Sequence, residues 1–177
     1  MNTSFYNQIA KSTAHRKSRD ENKNFIFANS FYLNDLVEIG FTVNDKNHHK
    51  ACWILELICE EKIELFVPFI DNYCLTIKDF KSDSAIRSIS KIGLFLVQNK
   101  NIQLTKNQEE QIIETFLDWI IDTQKAANLA YSIRTLYFLG KKHNWVNDEL
   151  RSLLNRDCNH QTPGYKFAVK DILKRLK

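Results

Sequence analysis

One apolar frame recurs along the chain, and it constrains the fold more than any other feature. In "DSAIRSISKIGLFLV" (83–97), Ala85, Ile89, Ile92 and Leu96 fall at 0, +4, +7 and +11, the spacing of one face of an α-helix. The same frame holds Ala51, Leu55 and Ile58, then Ala126, Ala130, Ile133 and Tyr137, then Tyr165, Val169, Ile172 and Leu176. Its starting points lie 34, 41 and 39 residues apart. Each occurrence reads as the second helix of a pair. One pair alone cannot bury its apolar stripe, whereas stacked pairs share a continuous core.

The rest of the chain agrees with helices. Only 4 glycines and 2 prolines occur in 177 residues, too few for sheets joined by tight turns. The periodicity predicts helices over 3–13, 19–28, 30–40, 47–61, 62–77, 83–99, 104–121, 125–143, 144–156 and 162–177. The basic run "HRKSR" separates the first two. Gly40 reads as the residue after a helix end, and Pro68 as the start of a helix or a kink within it. Thr105 and Gln108 form a capping box, and Thr162–Pro163 has the favoured order for a helix start. The fold class expected is all-α, with about four helix pairs in a single domain, 1–177. Residues 1–29 would be an N-terminal helical cap.

Several features carry a resemblance: "ELFVPFI", with Pro68 in a first helix, and the Ala-led second helices "KACWILEL", "SAIRSISKI" and "KAANLAYSI". On these, residues 30–177 resemble HEAT/armadillo-like repeats. Asp83 and Arg87 match the turn Asp and second-helix Arg or Lys of such repeats, while Trp53 and Asn128 hold the Arg87 position elsewhere. The resemblance implies a right-handed α-α superhelix whose second helices line a concave face.

In that frame the outward rows fall side by side. Trp53, Arg87, Asn128 and Phe167 share +2, and Glu56, Ser90, Tyr131 and Lys170 share +5. Leu57, Lys91, Ser132 and Asp171 share +6, and Glu60, Leu94, Thr135 and Lys174 share +9. The residues expected to line a binding groove are Trp53, Glu56, Glu60, Arg87, Lys91, Asn128, Tyr131 and Thr135. Arg87 would stack on Trp53 and pair with Glu56. The pair serves equally as an inter-repeat tie or as a partner contact.

The expected function is therefore a non-catalytic scaffold or adaptor holding a protein segment or other ligand. One alternative is a nucleic-acid-binding domain: basic residues gather at Lys11–Arg19, at Lys141–His143 and at Lys170–Lys177. Such a groove with Trp53, Tyr131 and a carboxylate resembles the repeat-built alkylpurine DNA glycosylases. Against it, the net charge is only +4 with 21 acidic residues, modest for a phosphate binder. The other alternative is an enzyme using Glu56, Arg87 and Tyr131, though no triad order, Gly-rich phosphate loop or H-E-x-x-H is present. No cofactor is expected. His48 and Cys52 have a chelating i,i+4 spacing, but no second pair completes a zinc site. Cys52, Cys59, Cys74 and Cys158 form no C-x-x-C and read as reduced core thiols. No apolar run approaches the roughly 20 residues of a bilayer span. A cytoplasmic protein with no membrane partner is the expectation.

Overall fold

The computed structural model describes residues 1–122, 129–156 and 162–176. It is all-helical, with no strand among the described residues. The order is α1 (Thr3–Ala10), α2 (Arg16–Ala28), α3 (Tyr32–Phe41), α4 (His48–Lys62), α5 (Ile70–Thr76), α6 (Asp83–Gln98), α7 (Lys106–Asp122), α8 (Leu129–Leu139), α9 (Asn144–Leu154) and α10 (Pro163–Arg175). Two compact units result, residues 1–89 and 90–177, with the boundary inside α6.

In the first unit α3 packs on α4, α1 lies on α3 and α4, and α2 lies on α4. The core is apolar and closed: Phe5, Ile9, Ile26, Leu36, Ile54 and Leu55 are all essentially without exposure. Phe5 stacks on Tyr32 at 4.5 Å. The Lys50 ammonium also donates to the Ala10 carbonyl, tying α1 to α4.

Three local expectations change here. Gly40 does not end a helix, because α3 runs on to Phe41. A Cβ at Gly40 would lie 3.1 Å from Leu55 Cδ1 and 3.5 Å from Ala51 Cβ, so this glycine permits the close approach of α3 to α4. The segment 62–77 is not one α-helix. Ile63–Phe69 is a 3-10 helix holding Pro68, and α5 starts only at Ile70. Proline lacks the N–H and clashes with the carbonyl four residues back, so the chain takes the tighter turn first. The basic run at 15–19 is no separator either, since Arg16 opens α2 and pairs with Asp20 one turn on, at 2.9 Å.

In the second unit α7 packs on α8, α9 on both, and α10 on α8 and α9. The capping box at the start of α7 forms in both directions. Gln108 N donates to Thr105 Oγ1 at 3.3 Å, and Thr105 N donates to Gln108 Oε1 at 2.9 Å. Thr162 caps α10 by accepting from Tyr165 N at 3.4 Å. The helix foreseen over 125–143 ends earlier, at Leu139, and its first residues, 125–128, lie outside the described residues. At the α8–α9 corner a Cβ on Gly140 would lie 2.0 Å from Asn147 Oδ1. Asn147 Nδ2 there donates to the Gly140 carbonyl at 2.8 Å. No helix among the described residues is long and apolar enough to cross a membrane.

Candidate functional site

Of the residues singled out at α4 and α6, Glu56 and Arg87 meet in the first unit, with Trp53 bonded to the same helix α6. Trp53 and Glu56 are on successive turns of α4, and Arg87 is one turn into α6. Glu56 is 2% exposed. Ser88 Oγ donates to its Oε2 at 2.6 Å, and Arg87 Nη1 lies 3.3 Å from the same oxygen. A carboxylate this deep needs such partners, because desolvation disfavours its charge. Arg87 itself is 43% exposed along its side chain, so its guanidinium spans from the buried acid to the surface. Beside it, Trp53 Nε1 donates to Ser84 Oγ at 2.7 Å. The indole meets the His49 ring edge-on at 5.0 Å. Burial, and then the neighbouring His48 and Lys50, hold the His49 imidazole below its ordinary value. What faces outward is a strip of His49, Trp53 and Arg87 over a satisfied acid.

Ser84 and Ser88 were not foreseen as members of this cluster. They lie at i and i+4 in "DSAIRSIS", one above the other on a helix face. That spacing was the available signal.

The remaining expected residues are placed differently. Glu60 faces α2, with Arg16 Nη1 3.7 Å away. Lys91 is partly buried, its ammonium 5.3 Å from the centre of the Phe95 ring. Tyr131 is partly buried on α8. Thr135 has no exposure and donates to the Tyr131 carbonyl at 2.9 Å, so it offers a ligand nothing. Asn128 lies outside the described residues. Ser90, Ser132, Leu57 and Leu94 are buried as well, and Ser132 Oγ donates to Ser90 Oγ at 3.2 Å. Half of the +5, +6 and +9 residues thus turn inward, while Glu60, Lys170 and Lys174 are exposed; in the +2 row Trp53 and Arg87 are partly exposed and Phe167 is exposed.

His48 and Cys52 do not form a metal pair. His48 Nδ1 sits 2.6 Å from the Asp45 carbonyl, and Cys52 Sγ points to the Gly40 carbonyl at 3.5 Å. No group of three or more His, Cys, Asp or Glu suited to a metal occurs among the described residues. Cys52, Cys59 and Cys74 are buried thiols. Burial pushes all three thiols up, Cys74 to about 12, which leaves them poor nucleophiles. Cys158 lies outside the described residues.

A second polar cluster occupies the α7–α8–α9 corner. Glu109, 5% exposed, accepts from Lys142 Nζ at 2.5 Å and lies 2.8 Å from His143 Nε2. Burial pushes its carboxyl up, but the hydrogen bonds from Lys142 and His143 outweigh that and hold it below the ordinary range. No family model matches the chain, and neither does any curated protein or solved structure.

Proposed function

We propose that the chain is a HEAT-like helical-repeat binding module, a non-catalytic scaffold or adaptor. It would hold a protein segment against the outward strip of Trp53 and Arg87. The observation that carries this reading is the state of Glu56. The one carboxylate in the strip is buried and bound to Ser88 and Arg87. It serves the fold, and the open chemistry is an indole and a guanidinium, two groups enriched at the centres of protein interfaces. They suit a segment that presents an acidic side chain next to an apolar one.

The repeat reading is supported by the order of contacts inside each unit. In the first, α1 lies on α3 and α2 on α4. In the second, α7 lies on α9 and α8 on α10. Contacts of first helix on first and second on second are those of stacked helix pairs, although α1 also lies on α4 and α9 also lies on α8.

The nucleic-acid reading has less behind it. Arg16 is engaged by Asp20, Lys23 by Glu61, Lys142 by Glu109, Arg151 by Asp148 and Arg175 by Asp171. A cation already paired with a carboxylate contributes less to phosphate binding.

Quantitative pull-downs from the native source test the proposal. Wild type is compared with Trp53→Ala, Arg87→Ala and a control at exposed Glu149. Partners lost from both strip variants and kept by the control are expected. If every partner survives both substitutions, the strip is not the binding face. Salt-sensitive DNA binding near 50 mM salt, lost with neither substitution, would instead favour nucleic acid.

A further inference from the structure

The second unit carries a cleft that the Trp53–Arg87 strip does not involve. It has a volume of about 360 Å³ and opens between the end of α6, the outer face of α8 and the face of α10. Its floor is apolar: Leu94 of α6, Phe138 of α8 and Ile172 of α10. Phe167 stands at its edge, 66% exposed, a large ring with nothing over its outer side. Two guanidiniums enter the cleft, Arg134 and Arg175. Arg175 Nε is held by Asp171 Oδ1 at 3.0 Å, and that charge is balanced. Arg134 makes no hydrogen bond or ion pair among the described residues, although it is partly buried.

A ligand that complements these features is narrowly defined. The volume is at the small end of the range for ligand pockets, enough for one or two rings and too little for a folded segment. The apolar floor and the open Phe167 ring favour a flat hydrophobic body. The unbalanced guanidinium favours a planar anion, which it grips with two parallel N–H donors. From this geometry we infer that the cleft binds a small aromatic acid, its carboxylate on Arg134 and its ring against Phe138 and Phe167. Tyr137, also in the lining, interacts with Arg175. The site is independent of the partner-binding strip.

A matched pair of probes tests it on the full chain: 2-naphthoate and its neutral isostere 2-naphthamide, titrated calorimetrically. The expected result is one site that prefers the acid. Arg134→Gln should weaken naphthoate about tenfold, the loss of one charge-assisted contact, and leave naphthamide unchanged. Phe167→Ala, at a position too exposed to endanger folding, should weaken both probes alike. Equal affinity of wild type for acid and amide overturns the inference, as does an acid preference that survives Arg134→Gln. Absence of any heat from naphthoate at 5 mM (a concentration in excess of the Kd that a ligand of this size reaches, on the order of millimolar) overturns it too. Should Arg134→Gln fail to fold, loss of both probes in Phe167→Ala together with the wild-type acid preference decides the question.

Discussion

Glu56 and Arg87 illustrate how one ion pair takes two characters. The acid is buried and the base is half in water. Removing the acid takes from Ser88, which has no exposure, the carboxylate oxygen to which its hydroxyl donates across α4 and α6. Removing the base uncovers the acid to solvent, which then takes over part of the base's role. Glu56→Ala is therefore expected to cost about 2–4 kcal/mol and Arg87→Ala only about 1–2 kcal/mol, read from chemical denaturation midpoints at constant slope. Equal losses would mean that the site stays dry when Arg87 is cut away. This pairing was legible in the sequence, since the two residues share one helical frame 31 positions apart. Ser88 was not, because a serine on an apolar helix carries no mark that says which acid it meets. Thr135 misled for a related reason. Its place in the outward row follows from helix α8 alone, whereas its burial comes from what packs on α8, and a threonine hides its hydroxyl by bonding the carbonyl four residues back.

The elements were the most legible level, because apolar periodicity and caps are local. The capping box at Thr105 and the N-cap at Thr162 formed as their spacing required. What escaped was the consequence of close packing. Gly40 reads as a helix end in isolation, yet it sits under Leu55. Gly140 sits against Asn147 in the same way. The α7–α8–α9 corner was equally hidden, since Glu109 reads as a first-turn acid and its partners lie more than 30 residues on. That corner has a defined pH response. Glu109 is held below its ordinary value of 4.5, so the folded chain binds fewer protons there than the unfolded one. Its contribution is complete above the ordinary carboxylate value and is lost as pH falls through the depressed one. Glu109→Gln is expected to lower stability by about 1–3 kcal/mol at neutral pH. The gap to wild type should close between about pH 5 and pH 3, measured by thermal melts across that range. A gap independent of pH would mean that shape, not charge, holds the corner.

At the scale of the molecule, the recurring frame foretold helices, and the described residues are all-helical. Its outward rows were less well read. A frame assigns one buried face to each helix, but a second helix flanked on both sides buries more than one. That is why Leu57, Leu94 and Ser132 turned inward. Stacked pairs also have a characteristic energetics. Each is stabilised by its neighbours, so a defect weakens the region around it more than distant helices. Hydrogen exchange followed by mass spectrometry reads this directly. In Glu56→Ala, amides of α2, α4 and the first turns of α6 are expected to lose protection, while those of α7, α9 and α10 keep wild-type rates. The substitution removes an α4–α6 contact inside the 1–89 unit, so a local deficit is what additive pairs require. Uniform acceleration across all helices is the response of one cooperative core, and that result would remove the repeat reading along with the binding face inferred from it.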